Sequence, residues 1–337
     1  MKIDFIGNPS AEHWEELCAL WKEAFGDSDE FLQIFYRTAF QPERCCCLFT
    51  EGQLAAALYW FDCSFQEKPV AYLYAIATAK AYQNRGLCHQ LMGYVHKHLH
   101  DRGYVGALLV PASSALRNFY KKMGYKTCTY ISHIACELAK SAPPVIPHTP
   151  LDGKVFANMP ASSELSGCMV MPESSCTTIS NEWSENVVMS ETSAIHIQEL
   201  DKLEYAQLRR KYLPSNSVLQ EKENLDFLET QMHFFYINYD FSTQNNTVAP
   251  NEPYIKCSSY KNYICSVTPT LIAANKCGSQ LHAVEILGNR TCLPQILNAF
   301  DCQQGRFQFP GNEIPFAMWL PFQKLDTEPE YFGFAFD

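Results

Sequence analysis

The chain has 337 residues, of which 47% are hydrophobic and 13% aromatic, enough apolar surface for more than one core. Only 18% of its residues are charged and the net charge is −10, which excludes a disordered acidic chain, a coiled coil and a basic nucleic-acid-binding face. Wholly apolar runs such as Leu54–Phe61 are far shorter than the roughly 20 residues of a membrane-spanning helix, and Met1-Lys2-Ile3-Asp4 has no apolar signal core behind it, so no membrane contact and a cytoplasmic location are expected.

Trp14, Leu17, Leu20, Trp21, Ala24 and Phe25 recur at helical spacing, and Gly26-Asp27-Ser28-Asp29 ends that helix. Residues 31–39 read as a second helix. Residues 45–49 and 53–61 read as a hairpin around Glu51-Gly52, and 72–78 as a further strand. Gly86 then opens a helix to Arg102 with Cys88, Leu91, Met92, Val95 and Leu99 on one stripe. A strand over 105–110, a helix over 114–122 and a strand over 126–136 follow.

Residues 141–190 begin Ser-Ala-Pro-Pro, show no sustained period and read as a linker. Beyond it the order of the first part recurs: helices over 203–212 and 225–235, a hairpin over 254–258 and 263–267, a strand over 282–287, a helix over 292–300, and strands over 306–309 and 331–336. The expected class is α/β with mixed sheets, divided into residues 1–140, a linker over 141–190, and residues 191–337.

The fifteen cysteines contain no Cys-x-x-Cys pair, and Cys45, Cys46 and Cys47 are consecutive, so they read as reduced, mostly buried thiols. His96 and His100 stand four apart on one helix, but no acidic or thiol partner is placed beside them. A solvated face is favoured there and no metal is expected. Basic and acidic residues balance over 1–140, so the whole negative excess lies beyond them. Between Lys80 and Lys126 eight basic residues face one acid, Asp101, a local field suited to an anionic ligand of limited size. This segregation motivates an acidic acceptor pocket between the halves, to which the terminal Asp337 would contribute.

The stretch from Tyr72 to Cys88 carries the chemistry. A strand ends, and a turn holding Gly86 feeds an amphipathic helix. Backbone N–H groups there converge on the positive end of the helix dipole, a place for a pyrophosphate. Gln83-Asn84-Arg85-Gly86-Leu87-Cys88 resembles the pyrophosphate loop Q/R-x-x-G-x-G/A of the GNAT superfamily of N-acetyltransferases, with Cys88 in place of the final Gly or Ala. At the family's spacing follows Pro111-Ala112-Ser113, then Phe119-Tyr120 and Gly124-Tyr125. These motifs and the tandem layout resemble the Eis-like branch, without room for its sterol-carrier-like domain. The motif resemblance spans residues 70–130 and the layout 1–140.

The resemblance implies a GNAT fold in the first half and a degenerate GNAT-like second half. It implies acetyl-CoA as acyl donor, gripped by the amides of Gln83, Asn84, Arg85, Gly86, Leu87 and Cys88. Backbone groups near Ile76, Ala77 and Thr78 would hold the pantetheine arm, and Tyr120 would be the general acid for the leaving thiolate. The expected activity is direct acetyl transfer to a primary amine: a small cationic amine, an aminoglycoside-like molecule or a peptide amine. The alternative is a non-catalytic acyl-CoA-binding or interaction protein on the same fold. Asp62, Glu43 and Asp29 are candidate bases. The acyl chain length and the oligomeric state stay open.

Overall fold

The computed structural model describes residues 2–138, 177–178, 194–220, 222–232, 235–242, 270–290 and 292–335. β1 (Ile3–Gly7) leads into α1 (Trp14–Phe25), whose Leu17, Leu20 and Trp21 form the buried stripe that the spacing predicts. Gly26 ends α1 at a φ of 78°, the left-handed conformation that favours glycine. Ser28 caps α2 (Asp29–Thr38) by accepting a hydrogen bond from the Phe31 N–H at 3.2 Å. β2 (Cys45–Thr50), β3 (Gln53–Phe65) and β4 (Lys68–Thr78) form an antiparallel meander. α3 (Leu87–Asp101) crosses over to β5 (Gly106–Leu109), which pairs with β4 in parallel. α4 (Ser114–Lys122), β6 (Lys126–Thr127) and β7 (Tyr130–Glu137) follow.

β8 (Thr177–Thr178) lies within the span 141–190, and the second half contains β9 (Ala194–Leu200), α5 (Lys202–Tyr212), β10 (Leu219–Gln220) and α6 (Lys222–Met232). Then come β11 (Phe235–Ser242), β12 (Thr270–Cys277), β13 (Gln280–Gly288) and α7 (Leu293–Ala299). β14 (Gln304–Pro310), β15 (Ile314–Pro315) and β16 (Met318–Pro321) close the second half.

Two mixed sheets result, and they repeat each other. The first runs β1-β2-β3-β4-β5-β16-β6, the second β9-β11-β12-β13-β14-β7-β15. The halves exchange strands: β16 lies between β5 and β6 and β10 pairs with β3 in the first sheet, while β7 lies between β14 and β15 in the second. The two crossings meet. Cys128 N–H donates to Ala317 O at 3.1 Å, and Phe316 N–H donates to Thr129 O at 2.9 Å.

The expected strand over 126–136 is therefore two strands in different sheets, broken at Cys128-Thr129 where the chain crosses. The expected helix over 225–235 ends at Met232, and Phe235 instead opens β11. The expected hairpin over 254–267 and most of the linker lie outside the described residues. The described hairpin of this half is β12–β13, turning at Gly278-Ser279.

Residues 331–335 are also not a strand. Only Tyr331 forms a single bridge, to Ser217, and the segment is held by polar side chains instead. The fully buried Glu285 carboxylate accepts from Tyr331 Oη at 2.9 Å, Tyr205 Oη at 2.8 Å and Arg209 Nε at 2.6 Å. A buried carboxylate is tolerable only when so paired. Gln308 Nε2 donates to Gly333 O at 3.2 Å and Val284 O at 3.0 Å, fixing the segment beside the β13–β14 pair.

The halves share one core. Phe227 of α6 packs against Phe31, Phe35 and Phe61, with ring centroids 5.8, 5.6 and 6.0 Å away. A separate cluster lies between the first sheet and α3, and another lies under α7. Among the described residues no helix is long and apolar enough to cross a membrane.

Candidate functional site

β4 and β5 are paired only at Val70–Gly106, Ala71–Ala107 and Tyr72–Leu108. Above Tyr72 the two strands part. On its other side β4 slips register against β3: Tyr59 faces Tyr74, but Ala57 faces Ala77. The extra residue forms a bulge in which Ala75 adopts φ 47°. A positive φ at a non-glycine residue is uncommon, and here it marks the point where the strand turns away from its neighbour. The edge of β4 from Leu73 to Thr78 therefore borders the opening, and it carries the expected Ile76, Ala77 and Thr78.

Past Thr78 the chain makes a short 3-10 turn over Lys80–Tyr82 and enters the loop. Gln83 is extended, Asn84 has φ 61° and Gly86 has φ 76°. Asn is one of the few residues besides glycine that visit this region readily. Gln83 Nε2 donates to Thr78 O at 3.2 Å, and Lys80 N–H donates to Glu23 Oε2 at 3.1 Å, so the loop is braced at both ends. Gln83, Asn84, Arg85 and Gly86 are exposed, and the Arg85 guanidinium lies 5.4 Å from the Tyr82 ring centroid. Leu87 is buried in the core and anchors the first turn of α3. No side chain caps that turn, and it carries no acid, so its field is that of the helix N-terminus alone. A Cβ added at Gly86 would meet nothing within 4 Å, so the loop opens onto free space.

Cys88 is half-buried, and burial pushes its thiol up to about 11. It fills space at the helix start and is no thiolate nucleophile. Tyr120 projects from α4, which Ser113 caps by accepting from Leu116 N–H at 3.2 Å. Tyr120 shares a buried cluster with Leu73, Leu87, Leu109 and Met318, and Ile76 and Cys88 pack against that cluster. The structure thus gathers Tyr120, the loop's start of α3 and the parted strands on one side of the first sheet. The Tyr120 ring packs on Phe119 at 5.3 Å and Tyr125 at 5.9 Å.

Tyr125 is fully buried, and its hydroxyl lies 2.8 Å from His96 Nε2. His96 therefore faces inward, while His100 lies 3.4 Å from Asp101. Among the described residues no group of three or more His, Cys, Asp or Glu side chains is placed to hold a metal ion. Burial, and then the charge of His89, lower the His96 pKa to about 4. Unfolded, His96 takes its proton near 6.5; folded, it stays neutral until about pH 4. Its contribution to stability is full above about pH 6.5 and is lost as pH falls towards 4, a change of roughly 3 kcal/mol. Urea unfolding at about pH 7 and about pH 4.5 should show this drop in the native protein and a smaller one in His96→Gln.

Of the candidate bases, Asp62 accepts from Tyr104 Oη at 2.5 Å, pairs with Arg44 at 3.4 Å, and stands opposite Ala71, below the parting of the strands. Asp29 is paired with Lys22. Glu43 is exposed, on a 3-10 turn. Asp337 lies outside the described residues. Between α1 and the sheet the core closes over the bulge: Leu20, Trp21, Tyr59 and Ala77 are buried there, and the gap they leave beside Ala75 is too small for a water molecule.

The second half repeats the topology without the site. Its loop is tied to its sheet, with Thr270 Oγ1 donating to Asn289 O and Arg290 stacked 4.0 Å from the Phe309 ring centroid. α7 has seven residues where α3 has fifteen. Only Gly311-Asn312-Glu313 separates β14 from β15, so no helix stands where α4 carries Tyr120. At the bulge of β13 the buried Glu285 and the segment 331–335 occupy the space.

Sequence reasoning missed the Ala75 bulge, the brace from Glu23, and β16. It also missed Arg117, whose guanidinium donates to Pro315 O at 2.9 Å and Phe316 O at 3.3 Å and so ties α4 to the second half. Only the paired glycine and helix signals of the loop were visible locally.

Residues 6–128 match the model of an acetyltransferase (GNAT) domain. A GCN5-related N-acetyltransferase from Anabaena variabilis superposes with a TM-score of 0.59 at 10% identity, covering 94% of this chain and 72% of that chain. A GCN5-related N-acetyltransferase from Kribbella flavida gives 0.56 at 10% identity, with 94% and 71% covered. Eis1 from Mycobacterium abscessus gives 0.52 at 10% identity, with 92% and 66% covered. At these identities the likeness is one of fold. No curated protein sequence matches the chain. Residues 6–128 thus have the GNAT fold.

Proposed function

We propose that the chain is an acetyl-CoA-dependent N-acetyltransferase of the Eis-like tandem kind, acting on a primary amine by direct attack. The observation that carries this reading is the conjunction of an uncapped helix start behind Gly86, two strands that part beside it, and Tyr120 in the cluster beneath. Acetyl-CoA supplies an activated thioester. The open loop fits a pyrophosphate, because the amides at the start of α3 and the αL residues Asn84 and Gly86 form a concave donor surface. Arg85 adds a cation beside it.

The exposed edge of β4 at Ile76, Ala77 and Thr78 offers backbone groups to the pantetheine amides. A strand N–H there stabilises the oxyanion that develops on the acetyl carbonyl. Tyr120 gives a proton to the departing thiolate. The second half contributes architecture: β16 beside β5, and the Arg117 tie that orients α4.

Tyr120→Phe tests this assignment. It removes one oxygen and keeps the ring packing, so kcat should fall about tenfold or more with acetyl-CoA affinity nearly unchanged. An unaltered kcat would leave Tyr120 a packing residue.

A further inference from the structure

A polar hollow of about 150 Å³ opens on the second sheet, over β13, β14 and β7 and apart from the loop and parted strands of the first. The strand register explains it. Arg306 of β14 stands between His282 of β13 and Ala135 of β7, and the next row on the same face is Gln280, Gln304 and Glu137. Ala135 is the short side chain of these rows, so the sheet is hollow above it. Leu281 and Cys136 turn to the other face, under α7, and Gly305 lies between them, so main chain forms the floor.

Arg306 and Glu137 both line this hollow, yet they do not pair. Arg306 Nη2 donates to His133 Nδ1 at 3.1 Å, on the far side of Ala135 from Glu137. An arginine only donates, so His133 carries its proton on Nε2 and gives it to Gln308 Oε1 at 3.2 Å. Gln308 is held in turn by Val284 O and Gly333 O, and the guanidinium is thereby fixed from behind. Glu137 Oε1 accepts from Gln304 Nε2 at 2.9 Å. Among the described residues neither charge belongs to an ion pair. The guanidinium keeps further N–H donors and the carboxylate a second oxygen.

We propose that this hollow binds a small amino acid as its zwitterion, the carboxylate on Arg306 and the ammonium on Glu137. A simple anion would meet the Glu137 carboxylate, and a simple cation the Arg306 guanidinium, each a like-charge contact. A zwitterion satisfies both, and a charge-assisted hydrogen bond at each end fixes its direction. The Gln280 amide and the His282 imidazole, joined at 3.3 Å, add neutral polar groups along the wall. A volume of about 150 Å³ is that of roughly five waters, room for a molecule of few heavy atoms and not for a peptide. The inference goes beyond the acetyltransferase reading and does not rest on it. It gives the second half, which lacks the loop, a ligand of its own.

Calorimetric titration of the full chain, without acetyl-CoA, with L-serine, β-alanine, acetate and ethanolamine tests it. At least one of the two amino acids should bind at least about tenfold more tightly than acetate, the carboxylate alone, and ethanolamine, the ammonium alone. Glu137→Gln and Arg306→Gln should each weaken that binding about tenfold or more. Ala135→Met keeps both charges, fills the hollow and should abolish binding. Thermal unfolding of each variant shows that it is folded, and Ala135→Met decides the matter where Arg306→Gln is not. Acetate or ethanolamine binding as tightly as the amino acids, no binding of either amino acid at millimolar concentration, or unchanged binding in folded Ala135→Met would overturn the proposal.

Discussion

Expressed alone, residues 1–140 will fail to fold, and co-expression with residues 190–337 will restore a folded, associated pair. β16 is the reason. It lies inside the first sheet, with Met318 opposite Leu109 and Trp319 opposite Leu108 on one side and β6 on the other. Trp319 is among the largest fully buried side chains, and Gly106 leaves room for it: an added Cβ there would fall 2.1 Å from the indole. Losing buried side chains of this size costs about 3–5 kcal/mol each. Two of them, with the strand's hydrogen bonds, consume most of the roughly 5–15 kcal/mol that stabilises a domain. β7 meanwhile loses β14 and β15 and becomes an open edge. Circular dichroism and gel filtration of each fragment and of the pair check this. A folded, monomeric 1–140 fragment would contradict it.

Gly86→Glu will abolish acetyl-CoA binding, a loss of about a hundredfold or more by calorimetry. At φ 76° any side chain is strained by about 1 kcal/mol, which the fold tolerates. The open space around the position means the carboxylate projects outward and meets no protein atom within 4 Å of its Cβ. It occupies the place proposed for the pyrophosphate and repels it. Gly86→Ala carries the same strain without the charge. It should keep most of the affinity and lose a little stability, which separates the electrostatic effect from the conformational one. Equal affinity in folded Gly86→Glu would remove the loop from the account.

The loop was legible because its signals are local. A strand, a glycine and an amphipathic helix stand within seventeen residues, Tyr72 to Cys88, and each residue keeps its place in the structure. The stripe Leu17, Leu20 and Trp21 was legible for the same reason. The bulge was not, because Ala75 adopts a conformation that sequence signals with glycine. β16 was hidden by its length of four residues, its terminal Pro321, and partners some two hundred positions upstream. The break at Cys128-Thr129 was hidden because residues 126–136 keep a strand-like composition on both sides of the crossing. Residues 331–335 are apolar like a buried strand, yet their partners are the Glu285 carboxylate and the Gln308 and Gln220 amides, which no period reveals. The expected helix ran one residue too far, into Phe235 of β11, because a short aromatic run fits either period, and the rest of β11 was not assigned.

The most direct measurement is a crystal structure with CoA bound. The account predicts the pyrophosphate on the backbone amides of Arg85 to Cys88, the pantetheine arm along Ile76 to Thr78, and the sulfur within hydrogen-bond reach of the Tyr120 hydroxyl. CoA bound at Gly288–Arg290 of the second half, or a sulfur remote from Tyr120, would contradict it.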